Sequence, residues 1–494
     1  MSNAATEECG HELSRDPGKP KRVPLGWFVL LSALFAILLG FGLAGHLSFV
    51  LAFGYPLPPG FPALVQAHGH AQLVGWVGLV IIGISLRLLP PLLSRPVPHG
   101  SILLLAFIAS GLLIRSVTQI IFPYVEVGET RSLLSASFLF GATMESAGLI
   151  LYGSMLGILL SKRQESILSD RSVSRLVPFL VCMMLGSLML AALNFWGSAQ
   201  AFQRNFLVIS APINEATVDV FVYALVLPTT LLFSVKLLPL FLGLREPRWR
   251  VGVIGWVFSI TAVGILSTRL LPLFDLSVPS RIASFFSAAL GLTLIAFVWS
   301  LDVLTRRHSP ERLAPLIKEG ALRGRGLLPD NGEYGNFEWH IYAAYAWLLL
   351  AALIHVLQPF GVPITLDTIR HIFLIGFTTN LIFGVGYRLL PGLLSIRLFS
   401  PSAVKVTAVT LNAAALGRIL PKVAPTFFNI RTDDMWMQMS FGLSGSIALC
   451  AVLLISGNFI FGFIFRRKIQ KQRTQGSYVF SHTSSTANRC IAEH

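Results

Sequence analysis

The chain has 494 residues, of which 54% are hydrophobic and only 12% charged, and its mean hydropathy is +0.71. That much apolar surface exceeds what one water-soluble core can hide, which excludes a soluble globular domain and points to a polytopic membrane protein. The formal net charge of +15 is scattered over separate polar segments rather than gathered on one folded face. It reads as a topology signal and a fit to anionic lipid, and no nucleic-acid partner is needed to account for it.

Apolar stretches of about 20 residues predict spans at about 26–50, 66–92, 100–122, 133–161, 175–201, 211–239, 250–272, 281–304, 338–360, 367–394, 402–421 and 435–465. These divide into three groups of four. The expected fold is an all-α membrane bundle of about twelve helices, residues 25–465, in three pseudo-repeats at about 26–161, 175–304 and 338–465. Polar tails occupy 1–24 and 466–494, and a polar linker occupies 305–337. No short apolar run followed by a cleavage site opens the chain. With a cytoplasmic N-terminus, inner segments hold 29 of the 38 Lys and Arg. This positive-inside bias predicts a bacterial-type inner membrane protein with both termini and the linker cytoplasmic.

The grouping rests on a repeat. His70 to Ser94 returns as His371 to Ser395 with 12 identities in 25 positions, including Arg87-Leu-Leu-Pro90 against Arg388-Leu-Leu-Pro391. A weaker copy lies between them, with Asp219 in place of the histidine and Lys236-Leu-Leu-Pro239 in place of the arginine motif. The third span of each group carries an echo of its own in Arg115, Arg269 and Arg418. Recurrence at this spacing marks structurally equivalent units. In this topology the histidines lie near the outer side. Arg87, Lys236 and Arg388 lie near the inner one, where they are expected to anchor to lipid phosphates. Cys9, Cys182, Cys450 and Cys490 include no pair with metal-ligand spacing, and disulfides are not implied.

His46, His68, His70, His355 and His371 all map to the outer half of the membrane. Intramembrane ionisable groups are costly and tend to face the bundle interior with a partner. His46 and His355 read most simply as interfacial or hydrogen-bonded imidazoles. His70 and His371 differ, because equivalent positions in two repeats can present two imidazoles across one gap, as a bis-histidine haem requires. Gly75, Gly78 and Gly83 on one helix, and Gly376, Gly384 and Gly386 on the other, would admit a flat macrocycle or a neighbouring helix. His68 and His70 together are the alternative metal candidate, for copper. On a helix they point about 200° apart, so joint chelation needs the helix to begin near His70. Arg370 and Arg418 can pair with outward-facing propionates or snorkel to headgroups. Glu145, in mid-span, can relay protons, pair with a neighbouring helix or hydrogen-bond to Ser or Thr.

Three four-helix units with histidines on the second and tenth spans resemble subunit I of the haem–copper oxidases. Ala67-His68-Gly69-His70-Ala71-Gln72-Leu73-Val74-Gly75 and Arg370-His371-Ile372-Phe373-Leu374-Ile375-Gly376 resemble more closely the NnrS branch, membrane proteins linked to nitric oxide metabolism that contain haem and copper. The resemblance implies a haem, b-type, held by His70 and His371, copper in addition, a role in nitrosative stress and an electron-transfer or respiratory partner. The chain departs from the oxidase pattern where that pattern has its second metal. Asp219-Val220-Phe221-Val222-Tyr223 replaces the sixth-span copper ligand, residues 250–280 contain no histidine, and the tenth span offers only His371. An oxygen-reducing binuclear centre is therefore not expected, and the sequence does not establish catalysis. The competing expectation is a cofactor-free transporter or channel on the same bundle, with broken helices and a midplane polar site near Glu145, Asn380 and Asn412.

Overall fold

The computed structural model describes residues 23–161, 171–244, 247, 251–304, 333–428 and 434–490. Among these residues there is no β-sheet, and twelve helices are long and apolar enough to cross a membrane. They are α1 (Leu25–Ala52), α2 (Phe61–Leu92), α3 (Ser101–Tyr124), α4 (Glu129–Ser161), α5 (Val177–Gln203), α6 (Ala211–Leu242), α7 (Val251–Phe274), α8 (Ser280–Leu301), α9 (Phe337–Phe360), α10 (Leu366–Leu394), α11 (Pro401–Pro425) and α12 (Met435–Phe465). The protein is thus a multi-pass helical membrane protein. Residues 1–22 of the expected tail and 305–332 of the expected linker lie outside the described residues. The helix that begins α12 continues to Cys490.

Each expected span has its helix. The main displacement is α2, which starts at Phe61 behind Gly60 and carries Pro62 in its first turn, where a missing N–H costs nothing. Helices are the natural answer to this composition, because lipid offers the backbone no hydrogen-bond partners. Trp27, Ile102, Leu133, Phe140, Ile260 and Trp299 remain exposed on the bundle's surface, an apolar exterior that suits lipid and would be untenable in water.

Three helices line the interior. Burial reaches 83% of the apolar window in α2, 78% in α6 and 72% in α10, against 33–61% in the other nine. These are the helices that carry the His70, Asp219 and His371 segments. Four glycines of α2 and α10 receive side chains from the preceding antiparallel helix. A Cβ on Gly75 would stand 2.7 Å from Phe35, and one on Gly83 2.7 Å from Phe28, both on α1. On α10, Gly376 meets Trp347 at 2.7 Å and Gly384 meets Ile341 at 2.8 Å, both on α9. Gly78 instead lies against Phe221 of α6, at 3.5 Å, and Gly386 meets only Leu390 of its own helix.

The inner helices share a second feature. Each loosens into π-helical winding just after its marker residue: Ala71–Gly78 follows His70, Phe221–Val226 follows Val220, and Ile372–Thr379 follows His371. Such winding is uncommon and is frequent at functional sites. A further π-helical stretch, Ala36–Phe41, lies on α1 opposite that of α2.

At the other end of the bundle the expectation of simple lipid anchoring needs correction for Arg388. Its side chain is buried, with the guanidinium carbon 4.4 Å from the Tyr334 ring centroid and 5.5 Å from that of Phe241. Aromatic faces attract the cation there.

Candidate functional site

Each inner helix joins its marker residue to the arginine of the helix that follows it. Arg115 Nη1 of α3 lies 2.7 Å from His70 Nε2, Arg269 Nε of α7 lies 3.3 Å from Asp219 Oδ2, and Arg418 Nε of α11 lies 3.3 Å from His371 Nε2. The arginine echo seen in the sequence is thus the partner of the marker.

The surroundings of the three pairs differ. In the first, Gly111 and Gly141 let α3 and α4 approach closely: a Cβ on Gly111 would stand 2.7 Å from the Glu145 nitrogen, and one on Gly141 2.9 Å from that of Arg115. This crossing sets the Arg115 and Glu145 side chains beside His70. Glu145 Oε1 is 2.7 Å from His70 Nε2, and Glu145 Oε2 is 3.6 Å from Arg115 Nη1. Arg115 also donates to Asn194 Oδ1 of α5, and Asn194 Nδ2 donates to the Ala142 carbonyl at 3.2 Å and to Ser146 Oγ at 3.1 Å. Arg115 and Glu145 are buried and opposite in charge, which is how an ion is tolerated in a membrane interior. His70 Nε2 faces a donor and an acceptor at the same distance. Protonated, it donates to Glu145; unprotonated, it accepts from Arg115. Either way Nε2 is engaged by its neighbours, so it is not available to a metal while both stay in place.

In the second pair Asp219 holds two arginines. Arg370 donates to its Oδ1 from Nε at 3.0 Å and from Nη2 at 2.7 Å, and Nη2 also donates to the Glu215 carbonyl at 3.1 Å. Arg370, expected to face propionates or headgroups, thus ties α10 to α6. Next to it, the Tyr223 hydroxyl lies 3.2 Å from His355 Nε2, His355 Nδ1 lies 2.8 Å from Ser287 Oγ, and Ser287 donates to Gln358 Oε1. With the Ser287 proton directed at Gln358, His355 Nδ1–H donates to Ser287 and Nε2 accepts from Tyr223. Both ring nitrogens of His355 are therefore occupied, the structural role expected of it. His46 is exposed on α1.

The third pair is the most open. His371 Nδ1–H donates to the Asp367 main-chain carbonyl at 2.7 Å and lies 3.3 Å from the Asp367 carboxylate, which Lys422 also engages. The proton is thereby fixed on Nδ1, leaving Nε2 as a lone pair toward Arg418. Arg418 and Lys422 together outweigh the single Asp367 charge, and the Arg418 guanidinium lies 4.4 Å over Phe441.

The His68 Nδ1–H donates to the Gly40 carbonyl in the π-helical stretch of α1 at 2.9 Å. His68 and His70 are both helical, seven and nine residues beyond Phe61. The condition for their joint chelation of one ion is not met, and they reach opposite neighbours. Among the described residues no cluster of three or more His, Cys, Asp or Glu has metal-binding geometry.

For a haem between α2 and α10 the residues present give a divided answer. His371 fits an axial ligand, since its second nitrogen is anchored to a carbonyl in the manner of metal-bound imidazoles. His68 fits by the same test. His70 has Nε2 engaged by Arg115 and Glu145 and could ligate only through Nδ1, and the Gly75 and Gly376 faces are filled by Phe35 and Trp347.

Several participants have no signature in the sequence. Asn194, Tyr223, Ser287 and Lys422 are ordinary polar residues until the fold delivers them. Asp367 alone carried a readable signal, four residues before His371 on one helical face. No protein-family model matches the chain, and no curated protein matches it.

Proposed function

We propose that this is a haem-binding membrane protein of the NnrS type, linked to nitric oxide or nitrosative-stress metabolism. The single observation that carries the reading is the state of His371: a half-buried imidazole with its proton fixed on Nδ1, a lone pair on Nε2, and Arg418 and Lys422 beside it as a cationic flank for carboxylates. A haem bound there would supply iron redox chemistry and a site that, on loss of one axial ligand, accepts nitric oxide. The chain's own contribution is to orient His371 through the Asp367 carbonyl and to pin α10 against α6 through Arg370 and Asp219. The recurrent marker–arginine pairs and π-helical stretches support a triplicated four-helix unit. The distribution of basic residues supports cytoplasmic termini in a bacterial-type inner membrane. Asp219 stands where an oxygen-reducing relative would place a copper ligand, and it is gripped by two arginines, which supports a role other than dioxygen reduction.

One observation favours the cofactor-free alternative: Gly75, Gly83 and Gly376 are packed against Phe35, Phe28 and Trp347. Against a transporter, α2, α6 and α10 run through the bilayer as continuous helices, where broken ones would be expected. The visible spectrum of the chain purified from haem-replete cells separates the readings. A low-spin haem spectrum that disappears in H371A supports the haem reading. A colourless protein rejects it, and an unchanged spectrum in H371A rejects His371 as the ligand.

A further inference from the structure

We propose that the space enclosed by α2, α6 and α10 is a binding chamber for a small uncharged gas, of the class of diatomic molecules to which nitric oxide and dioxygen belong. The chamber needs no metal and none of the histidines, and so goes beyond the haem reading.

A cavity of about 50 Å³ lies among the three inner helices, and every residue on its wall belongs to one of them. The wall follows the repeat. Ile81, Thr230 and Ile382 stand eleven residues beyond His70, Asp219 and His371, and Ile84, Phe233 and Val385 stand fourteen beyond the same three markers. Equivalent positions of three helices therefore meet round one space. The α-helical winding resumes at Leu79, Leu227 and Asn380, so the chamber begins just past the π-helical layer. Ile84, Ile382 and Val385 are only half-buried, although α2 and α10 are among the most buried helices of the bundle. The cavity they line accounts for that remaining surface.

What can occupy the space follows from its wall, which is almost entirely apolar. Thr229 donates its hydroxyl to the Leu225 carbonyl, and Thr230 donates to the carbonyls of Val226 and Leu227, so neither proton is offered to the cavity. Ser234 Oγ, buried and without a hydrogen bond, is the remaining wall hydroxyl. A buried water needs two to four polar partners, and one serine does not supply them. A charged guest would find no counter-charge there. An apolar guest gives up little on leaving water or lipid and gains contact on all sides. Size sets the upper limit. An engineered apolar cavity of roughly 150 Å³ takes benzene, and about a third of that volume admits one xenon atom or one diatomic molecule, but no ring or acyl chain.

Xenon is the probe, because it is apolar, of the right size and visible by its anomalous scattering. Crystals of the full chain equilibrated under xenon are expected to show an anomalous peak between Ile81, Thr230 and Ile382. In V385F, whose ring takes up the space, the peak should be lost. In F233A, whose truncation enlarges the space, it should gain occupancy, and this second variant decides the matter if V385F does not fold. An excess of dioxygen admitted with the xenon should lower the occupancy, since both guests compete for one space. Absence of the peak in wild type, a peak unchanged in the variants, occupancy indifferent to dioxygen, or ordered water or an acyl chain in the same space overturns the proposal. None of these outcomes depends on porphyrin, so the chamber and the haem reading can fail separately.

Discussion

The two ends of the sequence repeat, His70 and His371, sit in the same register on α2 and α10 and precede the same π-helical winding, yet they live in different chemistry. Around His70 the charges balance: one arginine, one carboxylate and an asparagine close over the ring, tying four helices together. Around His371 they do not, since two cations face one carboxylate and the ring nitrogen facing Arg418 is a lone pair. A repeat conserves which residue occupies a position, while neighbours from other helices decide what that residue does. The first region is a clamp, and the third is open to a ligand.

If His70 belongs to a clamp, its ions should matter most to folding. R115M strands Glu145 in the membrane interior and is expected to cost about 3–5 kcal/mol, read as lost detergent-resistant folded protein. R115M/E145Q should recover much of that loss, whereas R418M should be milder because Arg418 has Phe441 and a partly exposed setting. Equal damage from R115M and R418M would erase the distinction between the two regions.

A smaller effect tests the glycine faces. G75L drives a side chain into Phe35 and is expected to cost about 1–3 kcal/mol in thermal unfolding, with partial relief in G75L/F35A. Stability unchanged in G75L would mean that the α1–α2 face is looser than its contacts indicate. The smallest effect concerns the Tyr223–His355 bond. Y223F should cost about 0.6 kcal/mol, the usual worth of one hydrogen bond between membrane helices, and should leave haem binding unaltered. Loss of haem in Y223F would enlarge the open region to include His355.

Much of this architecture was readable from the chain. Helix positions followed from the contrast between apolar spans and basic connections, and the arginine echo was visible because Arg115, Arg269 and Arg418 recur at one place in each unit. Their pairing with the markers was not, since it depends on helix rotation. The same limit hid the divergence of His68 and His70: the sequence states the angle between them but not which helices stand on either side. Glu145 could be read as buried and ionisable, yet its partners come from α2 and α3 through the Gly111–Gly141 crossing, a backbone approach that leaves no trace in composition. The α2 glycines announced close approach without saying that Phe35 and Phe28 would fill it.

The central claim is that the His371 side binds a group through imidazole nitrogens. Electron paramagnetic resonance of the oxidised protein, purified from haem-replete cells, tests it most directly. The account predicts a low-spin ferric signal of bis-imidazole type, absent in H371A. A protein without a haem signal, or one whose only signal is high-spin and survives in H371A, would contradict it.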